Sequence, residues 1–168
     1  MSGRLLWLTG AAGAGKTTLA RALLDAWPAS TPPLWLDGDH WRALLGPLGQ
    51  GYTSADRYQI GTALARLAVD LAGQGASVLV TTISRHADVG RVLAGCVSPV
   101  LRVRLRAPLS RLRERRPQIS ADELAGMAAD PWPYAVDVTL DADGPESSLA
   151  QLRPHLVAWL AGEPGRVA

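Results

Sequence analysis

The chain is poor in several things at once. It has one cysteine, no phenylalanine, and a single lysine among its 17 basic residues. One thiol, Cys96, excludes an internal disulfide and a four-cysteine zinc site, and reads as a small buried hydrophobe. No apolar run approaches the roughly 18 residues of a membrane span, because Arg66 and Asp70 interrupt the richest stretch. The first apolar run, Leu5 to Leu8, is too short for the core of a signal peptide. A formal net charge of only +2 gives little footing for a nucleic-acid or membrane surface. Two histidines beside strand ends, His40 and His86, have no third ligand and make no metal site, although His86 lies where it could touch a substrate. What is left is 168 residues with 48% hydrophobic and 19% charged content, which predicts one packed cytoplasmic domain over 1–168.

Against this arginine-rich background the sole lysine, Lys16, has a specific setting. Gly10-Ala11-Ala12-Gly13-Ala14-Gly15-Lys16-Thr17 satisfies G-x-x-x-x-G-K-[ST]. From the chain's own composition, chance would produce such a match roughly once in a thousand sequences of this length. The run Leu5-Leu6-Trp7-Leu8 before it suits a buried parallel strand, and Thr18 to Trp27 carries Leu19, Ala22, Leu23 and Ala26 at helical spacing. Strand, glycine loop and helix are what a phosphate loop requires. The backbone N–H groups from Gly10 through Gly13, Ala14, Gly15, Lys16, Thr17 and Thr18 would cradle phosphates at a helix N-terminus. Lys16 would follow the β- and γ-phosphates of ATP, and Thr17 would offer its hydroxyl to Mg²⁺.

Further apolar runs at Pro33–Leu36, Ala76–Ile83, Pro99–Leu105 and Val136–Leu140 predict four more strands. Helical segments are expected at Asp39–Leu45, Ser54–Ala72, His86–Ala94, Leu109–Arg115, Ser120–Ala129 and Ser147–Leu160. The alternation predicts an α/β P-loop fold of the nucleoside-kinase type: a five-stranded parallel sheet with helices on both faces, and a short lid near 116–132. Ligands in such sheets bind beyond the carboxyl ends of the strands, where Gly10, Asp37, Ser84, Arg106 and Asp141 fall. Asp37 and Asp39 flank Gly38 there. One carboxylate could hold Mg²⁺ through water or accept a proton from a substrate hydroxyl, and either could simply cap the next helix. Arg102, Arg104 and Arg106 alternate along one strand and read as a solvated face, with only Arg106 and Arg115 near the crevice. Trp41 and Trp132 flank the crevice and are the tryptophans placed to stack on an aromatic substrate.

The blocks GAAGAGKTTLARAL, LDGDHWR, GYTSADR and VLVTTIS, in this order from about Leu5 to Arg115, resemble the adenylyl-sulfate kinases. These are P-loop kinases that phosphorylate the ribose 3′-hydroxyl of adenylyl sulfate with MgATP. The resemblance implies that Asp39 is the base and that Arg42 and Arg57 hold the anionic acceptor. It implies that Tyr52 packs near the acceptor base in place of a phenylalanine, that Ser84 lines the pocket with Asp37, and that Arg115 lies against adenine. The acceptor half departs from the family pattern. Ile60 stands where the family has asparagine, Arg85-His86-Ala87 replaces P-[YF]-R, and Pro117 to Trp132 lacks the lid lysine. Only Asp130 to Tyr134 echoes the later G-I-D-x-P-Y-E block. The expected partners are a small hydroxyl acceptor and, as an option, a second copy of the chain; neither nucleic acid nor membrane is expected. A kinase for another hydroxyl acceptor, a nucleotide-hydrolysing switch and a nucleotide-binding protein without transferase activity are the alternatives.

Overall fold

A computed structural model describes residues 3–28, 32–49 and 51–161. The sequence reads Gly162 to Ala168 as a frayed tail, and these residues lie outside the described ones. Five strands form one wholly parallel sheet: β1 (Arg4–Gly10), β2 (Leu34–Asp37), β3 (Ser77–Thr82), β4 (Val100–Arg106) and β5 (Val138–Asp141). Their spatial order is β2-β3-β1-β4-β5. β1 is therefore central, with Thr9 paired to Thr82 on one side and Gly10 to Leu105 on the other.

Helices cover both faces: α1 (Lys16–Asp25), α2 (Gly38–Leu44), α3 (Ser54–Gly73), α4 (Ala87–Ala94), α5 (Leu109–Arg115), α6 (Ala121–Ala128) and α7 (Pro145–Ala161). The two-residue period of β1 divides the core. Leu6 and Leu8 point to one face, where they pack with Leu19 and Leu23 of α1 and Leu152 and Trp159 of α7. Leu5 and Trp7 point to the other, against Leu64, Ala65 and Ala68 of α3 and Val89 and Leu93 of α4. All four β1 side chains are wholly buried, so their unbroken apolar run in sequence reflects a strand covered on both sides. α3 starts with a reciprocal cap: Thr53 Oγ1 accepts from the Asp56 N–H, and the Asp56 carboxylate accepts from the Thr53 N–H. The Thr53 hydroxyl, which donates to the same carboxylate, and then that N–H hold the Asp56 carboxyl below its usual pKa.

The β1 boundary runs to Gly10, two residues beyond the apolar run. Gly10 has φ +146°, and a Cβ there would stand 2.4 Å from the Leu105 carbonyl oxygen. The chain can turn away from the sheet at this point only because no side chain is present.

The arginines of β4 need correction. Arg104 is buried, pairs with Asp130, donates to the Ala128 carbonyl at 2.8 Å and lies over the Trp132 ring. Arg102 is half-buried and pairs with Asp137 at 3.4 Å. Only Arg106 fits the solvated reading, and it pairs with Asp141 at 3.1 Å away from the crevice. The strand alternation is real, but the Asp130–Asp137 segment folds back over that face and supplies counter-charges from a distance that spacing does not reveal.

Candidate functional site

A cavity of about 1240 Å³ opens at the carboxyl ends of the strands. The glycine loop forms its floor. Gly15 takes the left-handed conformation, φ 98°, at the N-cap of α1 and makes no side-chain cap hydrogen bond. The first N–H groups of α1 thus have no side chain closing them off, which is the geometry that receives an anionic oxygen. Lys16 Nζ folds inward and donates to the carbonyls of Gly10 (3.0 Å) and Ala11 (2.9 Å). Burial lowers its pKa to about 8, with the Asp39 and Asp37 carboxylates pulling upward and Arg116 pushing down. Arg115 Nη1 donates to the Gly13 carbonyl at 3.0 Å, so α5 reaches over the loop.

Asp37 ends β2 and caps α2. Its Oδ1 accepts from the N–H groups of Asp39 (3.0 Å) and His40 (3.1 Å). Its Oδ2 accepts the Thr81 hydroxyl at 2.6 Å and the Thr17 hydroxyl at 3.4 Å. Capping and a place beside the phosphate loop are therefore the same arrangement. Asp39, in the first turn of α2, is exposed and lines the cavity.

The acceptor-side candidates come from four separated segments. Arg42 donates to the Gly51 carbonyl at 2.7 Å and lies over the Tyr52 ring. Tyr52 is 66% exposed at the cavity mouth, so its ring is held by that cation and not by the core. Arg57 Nε donates to the Tyr52 carbonyl at 3.1 Å, and its Nη2 pairs with Glu123 of α6. Ser84 is buried after β3, its hydroxyl 2.8 Å from the Thr82 hydroxyl and its carbonyl accepting from the Tyr134 phenol at 2.8 Å. That phenol also accepts from Trp7 Nε1 at 3.1 Å, which ties the acceptor-side loop to the central strand. Ile60 and His86 reach the cavity as well, and burial lowers the His86 pKa against the opposing pull of Asp88.

Gly13, Ala14, Gly15, Lys16, Thr17, Thr18, Asp37, Asp39, Arg42, Tyr52, Arg57, Ser84 and Arg115 all line one cavity, while Gly10 does not line it and meets it only through its carbonyl on Lys16 Nζ. Trp41 and Trp132 do not line it. Trp41 packs on the α3 face of the core, and Trp132 is held between Arg85 and Arg104 and edge-on to Tyr134. Sequence reasoning misses Thr81, Arg116 and Glu123. Thr81 stands opposite Asp37 through strand pairing, which requires the strand order. Arg116 is hidden in an arginine run, and Glu123 meets Arg57 across 66 residues.

The family model for adenylylsulphate kinase matches residues 2–120. The adenylyl-sulfate kinase of Deinococcus deserti is 37% identical over 159 residues, covering 94% of this chain and 85% of its own length. That of Myxococcus xanthus is 36% identical, covering 84% and 83%. The cytidine diphosphoramidate kinase of Campylobacter jejuni is 38% identical over 86 residues, about half of each chain. Among solved structures, the Mycobacterium tuberculosis APS kinase in complex with AMPPNP and APS superposes with a TM-score of 0.69 at 28% identity, over 95% of this chain and 98% of that one. Loop, sheet order and sequence similarity over most of its length agree, and the chain belongs to the adenylylsulphate kinase family.

Proposed function

We propose that this chain transfers the γ-phosphoryl group of ATP to the 3′-hydroxyl of adenylyl sulfate. The observation that carries the reading is that the phosphate loop with Lys16 and the exposed carboxylate of Asp39 open onto one cavity. In-line transfer needs little covalent chemistry from the protein; it needs positioning and charge. The loop N–H groups and Lys16 would bind the nucleotide phosphates, and Arg115 would bound the nucleotide side. Asp39 would orient the acceptor hydroxyl and take its proton as the oxygen attacks. Arg42 and Arg57, with Tyr52 beside them, would hold the anionic acceptor, and Ser84 and Asp37 would complete its wall. α6 would shield both substrates from water.

The residues fit a magnesium ion. The Thr17 hydroxyl and the Asp37 carboxylate are hard oxygen donors beside the phosphate loop. Among the described residues no cluster of three or more metal-ligating side chains exists, as suits an ion shared with phosphates and water. When bound, it would neutralise charge on the transferring phosphoryl group.

A second reading keeps the nucleotide chemistry and changes the acceptor. It is favoured by Ile60, an apolar side chain on the cavity wall where the family has asparagine, and by the similarity to the Campylobacter kinase. Transfer of label from γ-labelled ATP to adenylyl sulfate, run beside a panel of other nucleotide hydroxyl acceptors, tests both. Label on adenylyl sulfate supports the first, and label only on another acceptor supports the second. Hydrolysis or binding without transfer overturns both.

A further inference from the structure

α6 is fastened unequally at its two ends. At its C-terminal end Arg85 donates to the carbonyls of Gly126 (2.6 Å), Ala129 (2.8 Å) and Pro131 (3.0 Å). Buried Arg104 adds a bond to the Ala128 carbonyl and the pair with Asp130. Both guanidinium groups also lie over the Trp132 ring. Guanidinium groups on the last carbonyls of a helix satisfy its orphan acceptors and its dipole together, so this end is firmly set. At the other end Ser120 caps the helix by accepting from the Glu123 N–H at 3.2 Å, and the Glu123 side chain pairs with Arg57 of α3. Among the described residues, that is the one ion pair between α6 and α3.

Arg57 is the guanidinium that the proposed function assigns to the acceptor's anionic group. Its Nε is engaged by the Tyr52 carbonyl and its Nη2 by Glu123, and both Arg57 and Glu123 line the cavity. A guanidinium grips an anion best through two parallel N–H bonds; with Nε on the Tyr52 carbonyl the pair left is Nη1 with Nη2, and Glu123 sits on Nη2. The Arg57 side chain is 25% exposed and that of Glu123 is 44% exposed, so the exchange happens at a wetted site and costs little.

We infer that Glu123 is a specificity-determining residue of the acceptor site: a resident counter-carboxylate on Arg57 that the acceptor's anionic group must displace. The inference rests on the reading that this anion is received by Arg57. Glu123 acts through Arg57 and takes no part in the chemical step. A neutral hydroxyl compound offers nothing to replace the carboxylate and leaves the pair closed. An acceptor carrying a strong anion takes its place and in doing so frees the N-terminal turn of α6, while Arg85 and Arg104 keep the far end in position.

The test compares wild type with E123Q and E123A in two measurements. In steady-state transfer to adenylyl sulfate, KM for the acceptor should fall about two- to fivefold in both variants, the size expected for removing a partly exposed competing ion pair. The change should fall on acceptor KM and leave KM for ATP in place. An acceptor KM that is unchanged or raised overturns the inference. In hydrogen–deuterium exchange without acceptor, the amides of the first half of α6 should exchange faster in both variants than in wild type, with the amides of 126–130 unaffected. Equal exchange across α6 also overturns it. Wild type that transfers nothing to adenylyl sulfate, with faster α6 exchange in the variants, refutes the choice of acceptor and leaves the Glu123 latch standing. Normal transfer by wild type with no change in either variant does the reverse.

Discussion

The Thr17 hydroxyl and the Asp37 carboxylate face each other at 3.4 Å, across the junction between the phosphate loop and the end of β2. Asp37 reaches this position because its other oxygen caps α2, so one residue links the placement of the α2 turn to the nucleotide side of the cavity.

That dual engagement separates two substitutions. Asparagine caps helices about as well as aspartate, whereas alanine does not. Asp37→Asn should keep thermal stability and raise the Mg²⁺ concentration needed for half-maximal transfer. Asp37→Ala should show the same Mg²⁺ effect and lose about 1 kcal/mol of stability in denaturant titration. Equal Mg²⁺ dependence in all three proteins would confine Asp37 to capping.

Lys16 gives a proton-linked prediction. Without nucleotide its ammonium is buried and titrates at about 8, far below its ordinary 10.5. Phosphate oxygens favour the charged form, so binding moves the pKa upward again. Above about pH 8, ATP binding should take up a proton, and affinity should weaken as pH rises through that value. Calorimetric titration at pH 8.5 in buffers of different ionisation enthalpy measures the uptake. Lys16→Ala should abolish it and lower turnover by about two to three orders of magnitude.

For Asp39, removing the negative charge while keeping the shape isolates the proton-accepting role. Asp39→Asn should bind ATP with nearly unchanged affinity and lose about 10²- to 10⁴-fold in kcat. Equal turnover in rapid-quench transfer assays would reduce Asp39 to an ordinary first-turn carboxylate.

Gly61 lets α3 lie directly against the acceptor-side loop. A Cβ at this position would stand 2.4 Å from Ser84 Oγ and 2.9 Å from Ser84 Cβ. Gly61→Ala should cost about 1–3 kcal/mol of stability by overpacking. The double variant Gly61→Ala/Ser84→Gly should recover part of the loss, giving a non-additive cycle in thermal unfolding.

The parts legible in sequence share one property: their signals are local. The glycine loop, the apolar run of β1 and the ASVLVTTI run of β3 each carry their information within eight or so residues. All five strands were readable in this way, and the helices as well, including α7, which continues through Pro154. What is not legible depends on which segments meet. Arg104 looks like a surface residue in the run Leu101 to Arg106 until the Asp130–Trp132 segment covers it. Tyr134 looks like any loop aromatic until its phenol joins Trp7 to Ser84. Apolar periodicity reports burial; it does not report which carboxylate neutralises a buried guanidinium.

The central seat of β1 divides the molecule's tolerance for change. Its two flanking ladders clamp the end of the strand from both sides, so the loop that follows inherits a rigid origin. The rest of the cavity lining is assembled from α2, α3 and α6 and the turn after β3, joined by side-chain contacts such as Arg42 over Tyr52 and Arg57 with Glu123. Such contacts can be exchanged a few at a time without disturbing a backbone ladder. A lineage built on this scaffold can therefore drift between recipients while its donor stays the same.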